Sequence, residues 1–183
     1  MKYNEYAEAV LNEIGNCIKT VDSAEIELFV ERIINAPRVF CDGVGRSGLQ
    51  ASAFTMRLTH MGITSYFVPE ITTPSIQHGD LLIICSGSGE TENLIAHAKK
   101  AKSFEAEITL ISASEKTSLH CLSDQNILVH ADTKLHNTHA SIQPMGTLFE
   151  QSLSILLDVV VLLLMERLDV SNSDMYRRHK NLE

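Results

Sequence analysis

Apolar residues recur at helical spacing through the first 35 positions. Tyr3, Ala7, Val10, Leu11, Ile14, Cys17 and Ile18 share one face of a helix, and Ile26, Val30, Ile33 and Ile34 share a face of a second. Asp22, followed by Glu25, fits a capping-box-like start to that second helix. Pro37 closes the region. The period then changes. Short β-prone runs at Arg38–Asp42, Ser65–Val68, Leu81–Cys85, Ile108–Ser112 and Ile127–Val129 alternate with amphipathic stretches near 48–61, 91–104 and 116–122. That alternation predicts an α/β fold with a parallel sheet of five strands and helices on both faces.

Segment 147–168 reads as a long, largely buried helix, and the polar tail Ser171–Glu183 as a last short one. The longest apolar stretch, Leu153–Met165, contains Asp158; it is too short to span a bilayer and suits a core helix. No repeat, linker or low-complexity tract divides the chain. Residues 1–183 are therefore expected to form one domain, with a helical region over 1–36 and an α/β core with C-terminal helices over 37–183. The length of 183 residues suits one domain with its own core.

Composition adds exclusions. Fifteen basic against 23 acidic residues give a net charge of −8, which argues against gripping nucleic acid or an anionic membrane. A pocket's local field can still oppose that charge and hold a small anion. The four cysteines at 17, 41, 85 and 121 form no C-x-x-C pair, and the start Met1-Lys2-Tyr3-Asn4-Glu5 is polar, unlike a secretory signal. Reduced thiols and a cytoplasmic location are the expectation.

In a parallel α/β sheet, ligands bind outside the carboxyl ends of the strands. Two loops there carry candidate chemistry. Gly43-Val44-Gly45-Arg46-Ser47-Gly48 follows the first strand. It matches G-x-G-x-x-G, with Glu70 at about the 20-residue offset of a dinucleotide fingerprint. A tight turn that needs glycine is the plainer reading. Ser86-Gly87-Ser88-Gly89-Glu90-Thr91 follows the third strand and leads into a helix. Its small residues let backbone N–H groups approach an anion, its hydroxyls add donors, and the helix start adds partial positive charge. Phosphate binding and simple helix capping by Ser88 or Thr91 are the two readings.

These loops resemble the sugar isomerase (SIS) family. The resemblance continues through Met56-Arg57-Leu58-Thr59-His60-Met61-Gly62, Glu70-Ile71-Thr72-Thr73-Pro74 and Gly79-Asp80-Leu81-Leu82-Ile83. The segment Ser141-Ile142-Gln143-Pro144-Met145-Gly146-Thr147-Leu148-Phe149-Glu150, with Met165–Leu168 and the ending Arg178-His179-Lys180-Asn181-Leu182-Glu183, is similar to the 6-phospho-3-hexuloisomerase branch. The resemblance implies a flavodoxin-like, three-layer αβα sandwich and a homotetramer. It implies a cofactor-free interconversion of D-arabino-hex-3-ulose 6-phosphate and fructose 6-phosphate, a step of formaldehyde fixation by the ribulose monophosphate route. The expected partner is the sugar phosphate, with no nucleic acid, membrane or metal. Related possibilities are another isomerase such as arabinose 5-phosphate isomerase, or a non-catalytic sugar-phosphate sensor. The sensor reading is weakened by the acidic balance and by the lack of an attached DNA-binding module.

Moving a carbonyl from C3 to C2 takes a base at carbon, donors for the enediolate oxygen and a proton shuttle. Glu150, near the start of the long helix, reads from position alone as either a base or a carboxylate at a helix N-terminus; the resemblance favours the base. His60 and His179 are the candidate shuttles. The alternatives are a helix C-terminal cap for His60 and plain exposure for His179. Gly45, Arg46, Ser47, Ser86, Ser88, Thr91 and Gln143 are the candidate substrate and phosphate ligands. Arg46 offers a fork of donors matched to phosphate, or forms a surface ion pair. Glu70 and Thr73 are weaker candidates that could orient Arg46 or meet a neighbouring subunit. His136-Asn137-Thr138-His139, with His120, Cys121, His130 and Asp132, matches no standard zinc spacing and reads as a solvated loop.

Overall fold

The computed structural model describes residues 2–131 and 141–182. In chain order the elements are α1 (Tyr3–Ile18), α2 (Ser23–Asn35), β1 (Val39–Gly43), α3 (Gly45–Met61), β2 (Ser65–Phe67), β3 (Leu81–Cys85), α4 (Glu92–Ser103), β4 (Glu107–Ser112), α5 (Ser118–Leu122), β5 (Gln125–Leu128), α6 (Thr147–Arg167) and α7 (Asn172–Arg177). All strand pairings are parallel, in the order β2-β1-β3-β4-β5. β1 and β3 are buried along their whole length, because helices cover both faces; this is why they read as unbroken apolar runs.

Residues pointing to one face, among them Val39, Cys41, Leu81, Ile83 and Ile127, join α1, α2, α3 and α6 in one core layer. Residues pointing to the other, Phe40, Leu82, Ile84, Ile108 and Leu110, pack on Leu94, Ala98 and Ala101 of α4 and Leu119 of α5. The five-stranded parallel sheet and its two helical layers match the expected architecture.

Local details depart from the periodicity. On α1 only Ile14 and Cys17 are buried, while Tyr3 and Leu11 of the same face stay exposed, because the helix touches α6 through its C-terminal half. Asp22 caps α2, but through the N–H of Ala24 at 2.8 Å and not as a capping box. Glu25 turns instead to Gln125, accepting from its Nε2 at 3.0 Å. Gln125 also donates to the Glu25 carbonyl at 2.7 Å and accepts from Thr109 Oγ1 at 3.2 Å. That satisfied amide starts β5 two residues earlier than its apolar run predicts.

α6 has 21 residues, and its most apolar 18-residue window has a mean hydropathy of 2.0, enough by length and composition to cross a membrane. The apolar run that reads as too short for a bilayer is therefore part of a longer apolar helix. Burial, not length, marks it as a core element: 56% of the apolar window is packed inside the protein.

The topology positions the site. β1 is followed by α3 on one face of the sheet, and β3 by α4 on the other. The two connections diverge between neighbouring strands and leave a crevice at their carboxyl ends.

Candidate active site

A cavity of about 350 Å³ fills that crevice, lined by the β1–α3 loop, the β3–α4 loop and the start of α6. Three helix N-termini converge on it. None of the three has a side-chain cap among the described residues: Val44 precedes α3, Thr91 precedes α4, and Gly146 precedes α6. The first-turn N–H groups of α3 and α4 are left for another partner, whereas at α6 the Thr147 N–H already donates to the Pro144 carbonyl at 3.2 Å; all three dipoles favour an anion. The capping alternative for Thr91 is thereby removed, since its hydroxyl makes no cap bond. Ser88 does accept from the Glu90 N–H at 3.3 Å.

The second loop is held from behind by the segment after β4. The Gly87 carbonyl accepts from the Ala113 N–H at 3.1 Å and from Ser114 Oγ at 3.2 Å. The Gly89 carbonyl accepts from the Leu119 N–H at 3.1 Å, and Glu90 Oε1 from the Ser118 N–H at 2.7 Å. With its carbonyls engaged on that side, the loop can offer N–H groups to the cavity. Gly89 takes φ +66° against Thr117, whose Oγ1 would lie 2.2 Å from an added Cβ. In the first loop an added Cβ on Gly48 would lie 2.5 Å from the Gly43 carbonyl oxygen. This glycine is therefore required for the close approach of α3 to β1.

Glu150 stands in the first turn of α6 and is 8% exposed. Its Oε2 lies 2.8 Å from Arg46 Nε, whose guanidinium is half-exposed at the mouth. Arg46 thus pairs with Glu150 and not with Glu70, which is exposed in a turn closed by Thr73 Oγ1 donating to the Phe67 carbonyl. Met145, just before α6, holds a left-handed φ of 62°, and Thr147 Oγ1 donates to the Pro144 carbonyl at 2.6 Å. This turn delivers Glu150 to the cavity. Cys85 also lines the wall. Burial, with Cys41 and Asp42 adding to it, pushes its thiol well above the usual value, so it is no nucleophile at neutral pH.

Gly45, Arg46, Ser47, Ser86, Ser88, Thr91 and Glu150 therefore surround one cavity. Three other candidates lie elsewhere. Gln143 donates to Glu13 of α1 at 3.0 Å, outside the cleft. His60 sits in the last turn of α3, about 21 Å along the helix axis from Arg46. There its ring meets that of His179 at 5.2 Å between centroids, and Arg178 donates to its carbonyl at 3.3 Å. The helix is closed by Gly62 at φ 90°, which removes the capping role for the imidazole. Burial, then His179 and Arg57, lower the His60 pKa. His120 and Cys121 are not neighbours of a metal-binding cluster among the described residues. Asp132, His136 and His139 lie outside the described residues.

Sequence reasoning missed Phe149 and Leu94 as cavity walls. Phe149 backs the β3–α4 loop: an added Cβ on Gly87 would meet its ring at 3.1 Å. Its place beside Glu150 was the available signal, but at helical spacing it reads simply as core.

The SIS domain model matches residues 32–155. A 3-hexulose-6-phosphate isomerase of Bacillus subtilis is 40% identical over the whole of both chains. One of Methanocaldococcus jannaschii is 41% identical over 86% of this chain and 84% of its own. A crystal structure from Methanococcus jannaschii, for which the function of 3-hexulose-6-phosphate isomerase was inferred, superposes with a TM-score of 0.87 at 38% identity. It covers 98% of this chain and 99% of its own.

Proposed function

The chain belongs to the SIS domain family, and from that premise we propose that it interconverts D-arabino-hex-3-ulose 6-phosphate and fructose 6-phosphate. The observation that carries the reading is a buried carboxylate, Glu150, set 2.8 Å from a guanidinium in a cavity bounded by three uncapped helix N-termini.

The phosphate lies against the N-termini of α3 and α4, with Ser47, Ser86, Ser88 and Thr91 supplying hydroxyls. The sugar carbons then extend toward α6. Glu150 takes the proton from C2 of the 3-ketose, and the electron pair moves to make the C2–C3 double bond while the C3 carbonyl oxygen becomes an enediolate. Arg46 donates to that oxygen. The C2 hydroxyl gives up its proton, which passes to the C3 oxygen, and Glu150 returns its own proton to C3, leaving the C2 ketone and a C3 hydroxyl. No net electrons are transferred, so the step calls for no redox cofactor. Fructose 6-phosphate cyclises, whereas a 3-ketose with phosphate on O6 has no easy five- or six-membered ring; acid-assisted ring opening matters mainly from the fructose side.

His60 and His179 are the proposed proton shuttles between oxygens. Their distance from Arg46 on the same chain means they act in the cleft of a neighbouring subunit. A homotetramer supplies such a neighbour. Exposed apolar residues support assembly: Tyr3, Tyr6 and Leu11 on α1, and Ile155, Val159 and Leu162 on α6. The proposed setting is the cytoplasm, in the ribulose monophosphate route of formaldehyde fixation.

The test is proton and carbon NMR of fructose 6-phosphate in D2O with catalytic amounts of the protein. Loss of the C3 proton signal with growth of a 3-ketose carbonyl is expected. Binding of the sugar phosphate with an unchanged spectrum would replace the isomerase with a sensor.

A further inference from the structure

The mechanism leaves two buried carboxylates unused, Asp80, which is paired with Arg38, and Asp42. Asp42, at the carboxyl end of β1, is 1% exposed. It points into the layer formed by Phe40, Ile84 and Leu94, all apolar and all buried. Its partners are two. Oδ1 accepts from the Gly43 N–H at 2.9 Å, and Oδ2 stands 2.7 Å from His97 Nδ1 on α4. Burial raises the Asp42 pKa, and the bonds from His97 and Gly43 work against that rise.

A carboxylate in such a layer does not serve stability well. Desolvation outweighs much of what a partner returns, and a small apolar residue would pack there at lower cost. Its two contacts suggest a different role. Gly43 opens the loop that leads into α3, and the clearance between Gly43 and Gly48 leaves no room for a methyl group. His97 lies one turn beyond Leu94 on the α4 face that also carries Leu94, a cavity wall. One side chain therefore ties the exit of β1 to the helix whose N-terminus faces the phosphate.

We infer that Asp42 and His97 are positioning residues that fix the β1–α3 and β3–α4 loops relative to each other, and so set how tightly the cleft holds a phosphate. The inference rests on the phosphate-binding reading of that cleft. His97 is half-exposed, so removing Asp42 leaves it free to be hydrated and strands no buried charge.

The experiment compares wild type, Asp42→Ala and His97→Asn in three readouts: the KM and kcat for fructose 6-phosphate, the dissociation constant of inorganic phosphate by 31P NMR, and the melting temperature. Asp42→Ala is expected to raise KM and the phosphate dissociation constant together by about tenfold, below the ~10²-fold that a 1 Å misplacement costs. Its kcat stays within about twofold of wild type, since the groups that touch the reacting carbons are unchanged. Its melting temperature falls by only a few degrees, because the Gly43 N–H loses its acceptor while no buried charge is stranded. His97→Asn places an amide nitrogen where Nδ1 stands and keeps both constants near wild type. His97→Ala reads the same link should Asp42→Ala fold poorly. Unchanged KM and phosphate affinity in the alanine variants, or a fall in kcat alone, overturns the inference. The phosphate measurement needs no turnover: a wild type that binds phosphate but does not isomerise the sugar defeats the isomerase reading, and the variants' phosphate constants still decide this one.

Discussion

Arg46 and Glu150 join the first turns of two helices that are far apart in the chain, with Nε and Oε2 2.8 Å apart. The pair brings α3 and α6 together at the mouth of the cavity, and it sets a cation against the carboxylate proposed as the base. Because Glu150 is mostly buried and Arg46 is half-exposed, water reaches the arginine more readily than the acid. The guanidinium keeps donors free for substrate oxygens while one is spent on the carboxylate.

Glu150→Gln keeps the shape and removes the proton acceptor. The expected outcome is a fall in kcat of about 10²–10⁴-fold with KM changed little, the range for loss of a positioned general base. Steady-state rates and deuterium exchange at C3 of fructose 6-phosphate measure it. Near-normal turnover in this variant would remove Glu150 from the mechanism.

Thr91 precedes α4 without spending its hydroxyl on a cap bond. Thr91→Val should therefore leave the helix as stable as before and weaken substrate binding. A hydrogen bond to a charged group contributes about 1.5–3 kcal/mol, so KM is expected to rise by about 10–100-fold. A drop in melting temperature with unchanged KM would restore the capping role.

Gly48→Ala tests the close approach of α3 to β1. The methyl carbon would sit 2.5 Å from the Gly43 carbonyl oxygen, a backbone atom that no side-chain rotation can move. Overpacking of this kind costs about 1–3 kcal/mol, and the first loop would shift with it. Lower denaturant midpoints and a weakened KM are expected together.

His60 predicts a pH effect on stability. Burial first, then His179 and Arg57, hold its imidazole below the ordinary histidine value, about 6.5 in the unfolded chain. As pH falls through that value the unfolded state takes up the proton before the native state does, so stability declines. The contribution is complete above about 6.5 and is lost toward the lower native value. Replacing His60 by Asn should flatten the difference in melting temperature between pH 7.5 and 5.5 relative to wild type. The same variant tests the shared site: mixed with Glu150→Gln subunits by co-refolding, it should recover activity that neither variant has alone.

The sequence by itself determined the α/β class, the five strands and the two glycine-rich loops at the carboxyl ends of β1 and β3. Local chemistry announces each of these: apolar runs of strand length, glycines where a backbone must approach another, and hydroxyls at a helix start. It placed Glu150 correctly at the start of α6 but left its role even, because a first-turn carboxylate is explained equally well by the helix dipole. Only the tertiary structure decided that Arg46 meets Glu150, that Gln143 turns to Glu13, that Phe149 backs Gly87, and that the rings of His60 and His179 meet at a tilt away from the cavity on their own chain. Each of these depends on how whole helices lie across the sheet, and periodicity fixes only which face of a helix is buried, not what that face meets.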